Sequence, residues 1–221
     1  MVTLSASEST VPKIAPLEAL KMLTDGNARF VTGTRSYPRE SLDRIKETAM
    51  NGQRPFVTML SCSDSRVPLH IIFDQGVGDI FSICVAGNLV GEQGLGSIEY
   101  GVVHLGTPLC VVLGHTKCGA VIAACTGGAN EGSITSLMQA IRPAVQRTEA
   151  ETGRTGKEIA ESCARHNIFY QIEVLCKRSA MLREAVQSGQ ILIVGAMYDI
   201  ENGTVEMLGQ HPNIEELIQE K

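Results

Sequence analysis

Two short segments of this chain carry the residue types that do chemistry. Cys62-Ser-Asp64-Ser-Arg66 follows one apolar run and His115-Thr-Lys-Cys118 follows another. Two thiolates and an imidazole form a soft nitrogen–sulfur donor set that suits zinc. Three protein ligands leave the fourth tetrahedral position open, which distinguishes a catalytic zinc from a structural one. Asp64 stands close enough to the first ligand to act behind it. Arg66 can hold that carboxylate ionised and oriented through paired hydrogen bonds. Taken singly, each segment has an ordinary explanation: a buried thiol at Cys62, a hydrogen-bonded loop histidine at His115, a surface ion pair at Asp64 and Arg66.

What joins them is the fold that must position them. Pro55–Ser61 is a short, nearly continuous apolar run, as expected of a strand buried on both faces. Asp79–Ala86, Leu109–Leu113 and Ile191–Val194 read the same way, the last running on towards Tyr198. Thr204–Leu208 alternates after Asn202-Gly203 and reads as a hairpin partner at an edge. Helical patterns separate the strands: Ser97–Leu105, Cys118–Cys125, Ile134–Ala150 with Pro143 as a kink, and Glu158–Ser188 with a break near Ser179. Ahead of them, a polar arm over residues 1–14 precedes a helix from Ala15 to Thr24 that stops at Gly26. A second helix over Ser41–Met50 is closed by Asn51-Gly52.

Strands alternating with helices predict an α/β fold, a mainly parallel sheet with helices on both faces. In such a sheet, ligands bind beyond the carboxyl ends of the strands. Cys62 follows the first strand and His115 the third, so the two segments meet at one sheet edge. Cys118 then shares the start of the next helix with His115, where backbone N–H groups favour a thiolate.

Other sites fail on spacing. The gap from Cys62 to Arg66 is too short for a phosphatase-type Cys-x5-Arg loop, and there is no Cys-x-x-Cys pair. Gly91-Glu-Gln-Gly94-Leu-Gly96 lacks the dinucleotide-binding spacing, and no Walker lysine is present.

The bulk numbers agree with one domain. At 221 residues and 43% hydrophobic content, the chain suits a single α/β unit over 1–221. Residues 1–50 form an N-terminal arm with helices, and residues 53–209 form the zinc-binding core. A net charge of −5 with no dense basic run disfavours nucleic acid as a partner. No apolar stretch reaches the roughly 18–20 residues of a membrane span. Seven cysteines in a chain this long read as reduced thiols, those at Cys84, Cys110 and Cys125 as buried ones. With no signal peptide in Met1–Ser9, the expected setting is cytoplasmic.

Together these residues resemble the β-class carbonic anhydrases. The matching elements are Cys62-Ser-Asp-Ser-Arg-Val-Pro68, Val85-Ala-Gly-Asn88, Glu99-Tyr100 and Gly114-His-Thr-Lys-Cys-Gly119. Gly26–Phe30 resembles the family's N-terminal helix, and Asn167–Tyr198 its C-terminal helices and last parallel strand. The resemblance implies a four-stranded parallel sheet with a further edge strand, an N-terminal helical arm, and a homodimer or homotetramer whose active sites lie near the interface. It implies one Zn2+ per chain, held by Cys62, His115 and Cys118, and reversible hydration of CO2 to bicarbonate and a proton by zinc-activated hydroxide. Asp64 would accept the nucleophile's hydrogen bond and Arg66 would orient Asp64. Gln53 would donate a hydrogen bond to substrate, while Phe81 and Tyr100 would line the pocket.

Two positions depart from one branch of that family, which binds regulatory bicarbonate with a Trp and an Arg. Met59 and Cys84 stand there instead, which argues against that regulatory site. A hydrolase of CS2 or COS using the same centre, and a non-catalytic zinc-stabilised binding or sensor protein, are the rival readings. Tyr198 is a further candidate for the site edge. His70, His104, His166 and His211 are candidate proton shuttles.

Overall fold

A computed structural model describes residues 14–128 and 131–219. The arm expected over residues 1–14 lies outside them, apart from Ile14. Five strands form one sheet: β1 (Val57–Ser61), β2 (Ile80–Cys84), β3 (Leu109–His115), β4 (Leu192–Tyr198) and β5 (Val205–Gly209). Their order is β2-β1-β3-β4-β5. The first four run parallel and β5 returns antiparallel beside β4. This is the α/β architecture the alternation of patterns predicts, with the edge hairpin in its expected place.

Every residue of β1 and β3 is buried, which explains their unbroken apolar runs. Consecutive side chains go to opposite faces. Leu60 and Val112 join one core layer with Ile83, Ile141, Ile168 and Ile172. Met59 and Val111 join the other, with Leu23, Phe73 and Val194.

The helices are α1 (Pro16–Val31), α2 (Leu42–Asn51), α3 (Leu69–Ile72), α4 (Glu92–Glu99), α5 (Gly119–Thr126), α6 (Ile134–Thr152), α7 (Ala160–Arg178), α8 (Ala180–Gln187) and α9 (Ile214–Leu217). A π-helical turn over Tyr100–His104 extends α4, and a 3-10 turn over Gly156–Ile159 leads into α7. Ser41 caps α2 and Gly52 closes it at φ +79°. Ser179 breaks the long C-terminal stretch and caps α8. Among the described residues no helix is long and apolar enough to cross a membrane.

Four expectations need correction. The first helix does not stop at Gly26. It runs on to Val31, and Gly26 faces the backbone of Phe73, where a Cβ would stand 1.8 Å from the carbonyl oxygen. That glycine permits a close approach; it does not cap a helix. The helix expected from Ser97 is α4, which begins at Glu92, so most of the glycine-rich segment is helical. The third strand continues through Gly114, making His115 its last residue. Cys84 is exposed, because β2 lies at the sheet edge, whereas Cys110 and Cys125 are buried as expected.

Candidate metal centre

The parallel pairing of β1 and β3 sets Ser61 opposite Leu113, which brings the two carboxyl ends side by side. Cys62 follows β1, and His115 completes β3. The chain then turns sharply through Lys117, which adopts φ +55°, and places Cys118 at the N-cap of α5. The ligand atoms of Cys62, His115 and Cys118 all lie within 4.8 Å of one another, and all three residues are buried.

The donor set fits a metal ion. His115 Nδ1 lies 2.8 Å from the Thr116 carbonyl oxygen, which only accepts, so Nδ1 carries the proton. Nε2 is left buried without a hydrogen-bond partner. A buried polar atom facing two thiols is expensive unless something occupies the space between them. The electrostatics agree. The Cys62 thiol is pulled well below its ordinary range, first by the Cys118 thiol beside it, against the cost of burial, and then by His115 and the Gly87 N–H. Cys118 is raised, chiefly because the same proton is shared with Cys62. Burial opposes charge on His115, but Cys62, the Thr116 carbonyl and Asp64 outweigh it and raise its imidazole.

Asp64 and Arg66 form the pair read from the sequence. Arg66 Nε donates to Oδ1 at 2.9 Å and Nη2 to Oδ2 at 2.7 Å, and its main-chain N–H adds a third bond to Oδ1 at 3.0 Å. The Arg66 side chain holds the Asp64 carboxyl well below the usual carboxylate range. Asp64 Oδ2 stands 3.8 Å from His115 Nε2, at the edge of the ligand cluster.

Thr116 connects this centre to the β4–β5 hairpin. Its N–H donates to Tyr198 O at 2.9 Å. Its hydroxyl donates to Asp199 Oδ1 at 3.3 Å and accepts the Ile200 N–H at 3.1 Å. Thr116 lies within the Gly114–Gly119 element but carries no role there, and Asp199 is marked in the sequence only by adjacency to Tyr198. Gly87 lies within the Val85–Asn88 element, but that its N–H donates to Cys62 Sγ at 3.3 Å is not readable from the sequence, because it is a main-chain group.

The other site residues are placed elsewhere. Gln53 is exposed ahead of the amino end of β1, whereas Cys62 follows its carboxyl end. A cavity of about 440 Å³ lined by Arg44, Glu47, Asn51, Gly52 and Arg54 belongs to that segment rather than to the ligand cluster. Phe81 pairs with Thr58, three rungs before Ser61, about 10 Å along the sheet. Its ring lies 6.0 Å from that of Tyr100, which is 49% exposed and stacks on His104 at 5.2 Å. One chain therefore does not bring Gln53, Phe81 and Tyr100 around its own ligand cluster. The ring of Tyr198 is buried with Phe73 and Leu113, in the layer away from Cys62 and Cys118. Among the histidines, His166 is bonded to Thr148 and Glu151, and His211 is buried against Glu173. His70 and His104 are exposed.

Comparison with known proteins agrees with this geometry. A family model for carbonic anhydrase matches residues 57–205, which span all three ligands. Carbonic anhydrase 2 of Mycobacterium tuberculosis is 36% identical over 209 residues, covering 93% of this chain and 99% of that protein. A carbonic anhydrase of Mycolicibacterium smegmatis is 34% identical, covering 89% and 95%. Among solved structures, the β-carbonic anhydrase CafA of Aspergillus fumigatus superposes with a TM-score of 0.71 at 27% identity, over 80% of this chain and 86% of that one. A tetrameric β-carbonic anhydrase of Sordaria macrospora gives 0.69 at 25% identity, over 86% and 96%. With its ligand cluster, its parallel sheet and these relatives taken together, the chain belongs to the β-class carbonic anhydrases.

Proposed function

We propose that this enzyme catalyses the reversible hydration of CO2 to bicarbonate and a proton at a zinc ion held by Cys62, His115 and Cys118. The observation that carries the reading is the buried His115 Nε2, which has no partner and faces two thiols. Cys62, His115 and Cys118 have donor atoms that all lie within 4.8 Å of one another, while the neighbouring Asp64 carboxylate is engaged on both oxygens by Arg66, which supports three protein ligands and a position left for a reacting molecule.

A bound Zn2+ supplies Lewis acidity and brings the pKa of a coordinated water towards neutral, to about 7 in a carbonic anhydrase whose zinc is held by three histidines. The rest is done by the protein. Asp64, ionised, offers an acceptor for the nucleophile's O–H and aims its lone pair at the CO2 carbon. Arg66 prevents that carboxylate from turning and, through Nη2 on the Lys117 carbonyl at 3.3 Å, ties it to the loop between the other two ligands. The released proton leaves through solvent.

Gln53, Phe81 and Tyr100 enter the reading as pocket residues supplied across a subunit interface. Their distance along the chain's own sheet and the exposure of Tyr100 beside the edge strand support a homodimer or homotetramer. The tetrameric Sordaria relative points the same way. That the cysteines of the described residues form no disulfide fits a cytoplasmic setting.

Zinc-reconstituted protein presented with CO2 and COS in parallel tests the substrate. Hydration of CO2 far exceeding hydrolysis of COS supports the proposal. Hydrolysis of COS with negligible CO2 hydration overturns it.

A further inference from the structure

Cys62 is not held by its own strand alone. The Gly87 N–H donates to its sulfur at 3.3 Å, and the same glycine is gripped through its carbonyl, which belongs to the next peptide unit. Asn167 Nδ2 donates to the Gly87 carbonyl oxygen at 2.8 Å. Gln171 Nε2 donates to Asn167 Oδ1 at 3.1 Å, and Gln171 Oε1 accepts the Val90 N–H at 2.9 Å. Arg178 adds a bond from Nη1 to the Val90 carbonyl at 3.1 Å. The segment from Gly87 to Val90 is thus bonded at both ends to α7.

The placement is costly unless it serves a purpose. Asn167 and Gln171 are 0% and 2% exposed, on a helix whose other buried residues, Glu173 apart, are apolar, Ile168, Ile172 and Leu175 among them. Their spacing of one helical turn stacks the two amides on one face. Every polar atom of both is bonded, as a buried network requires. The peptide they hold is itself constrained. Gly87 has φ +74° and a Cβ there would meet Ile141 Cδ1 at 3.0 Å, while Asn88 follows at φ +48°.

We propose that Asn167 and Gln171 are positioning residues for the metal centre, fixing the Gly87–Asn88 peptide and with it the conformation of Gly87, so that the Gly87 N–H stays hydrogen-bonded to the Cys62 thiolate. The inference rests on Cys62 being a metal ligand. An N–H···S bond draws electron density from the sulfur. A thiolate so engaged donates less to the metal and leaves it a stronger Lewis acid. Neither amide would touch the metal or the substrate; both act through the Gly87–Asn88 peptide and the backbone that leads from it to the Gly87 N–H.

Cobalt(II) in place of zinc reads the sulfur directly, through its thiolate-to-metal charge-transfer band. Asn167→Leu keeps much of the side-chain volume and removes the donor to Gly87. The band should move to lower energy as the sulfur donates more, and metal affinity should still fall about tenfold because Cys62 is no longer held in place. Ile172→Val, on the same helix, should lower thermal stability while leaving the band in place. An Asn167→Leu protein with a wild-type band and wild-type affinity overturns the proposal while leaving the ligand assignment intact. A wild-type cobalt protein with no thiolate band sinks the ligand assignment and this inference with it. Should Asn167→Leu not fold, wild-type protein loaded with cadmium-113 decides. Scalar coupling between the Gly87 amide proton and cadmium supports the hydrogen bond through sulfur, and its absence overturns it.

Discussion

The Arg66 guanidinium grips both oxygens of the Asp64 carboxylate, at 2.9 and 2.7 Å, and reaches across to the Lys117 carbonyl between His115 and Cys118. One side chain thus orients the carboxylate and ties it to the second ligand loop. Arg66→Ala should retain zinc and lose CO2 hydration by about 10- to 100-fold, because only the aim of Asp64 is lost. Arg66→Lys should recover little, since an ammonium cannot form the paired bond. Stopped-flow hydration alongside metal analysis checks both, and wild-type turnover in Arg66→Ala would remove the pair from the mechanism.

Cys62→Ser, His115→Ala and Cys118→Ser should each abolish stable zinc binding. With three protein ligands, loss of one leaves two, and the buried partners lose the cation that offsets their desolvation. Elemental analysis after dialysis against a chelator measures this. Stoichiometric zinc in all three variants would contradict the ligand set.

The centre was legible because its parts sit where apolar runs end. Cys62 and His115 are chemically distinct residues at two strand ends, and parallel α/β topology brings such ends together. Residues whose roles depend on tertiary neighbours were not legible. Gly26 looks like a helix stop until the Phe73 backbone is seen against it. Cys84 reads as buried until β2 proves to be an edge strand. Asn167 and Gln171 look like ordinary polar helix positions, and their bonds to Gly87 and Val90 span some eighty residues of sequence. Resemblance named Gln53, Phe81 and Tyr100 as pocket residues, but it could not say whose pocket.

That last question predicts complementation between chains. On the proposed reading, Cys62→Ser loses a metal ligand, and Gln53→Ala loses the proposed hydrogen-bond donor to substrate. In a mixed dimer, one site combines the intact ligands of the second variant with Gln53 of the first. Unfolding and refolding the two together should restore activity above that of either alone. If activity never exceeds the average of the separate proteins, Gln53 does not act across an interface.

Asp74 predicts a stability change with pH. Its buried carboxylate accepts the Ser36 N–H and hydroxyl and the Tyr37 N–H, and pairs with Arg29 at 2.6 Å. Burial raises its pKa, but the Ser36 N–H, Arg29 and their neighbours outweigh this and hold it below the usual range. A carboxyl lowered in the folded state stabilises fully above its unfolded value of about 3.9, and that stability drains as pH falls below it. Asp74→Asn should cost about 2 kcal/mol at pH 7. The gap from wild type should narrow below about pH 4, measured by urea unfolding of both metal-free proteins. A gap that widens on acidification would contradict the assignment.

Gly26→Ala should destabilise the chain by about 1–3 kcal/mol, because the added methyl meets the Phe73 carbonyl and α1 must shift away. Thermal unfolding measures it. An unchanged or raised melting temperature would mean that α1 does not pack this closely.

That three side chains hold a catalytic zinc is the claim on which the rest depends, and one experiment addresses it most directly. Protein stripped by chelator and then reloaded is assayed for zinc per chain and for CO2 hydration by stopped flow, from about pH 6.5 to 9, a range that brackets a zinc-bound water pKa near 7. A catalytic zinc predicts no turnover in the stripped protein, one zinc per chain on reloading, and fast hydration that rises with pH. One bound zinc per chain with no hydration at any pH would contradict it.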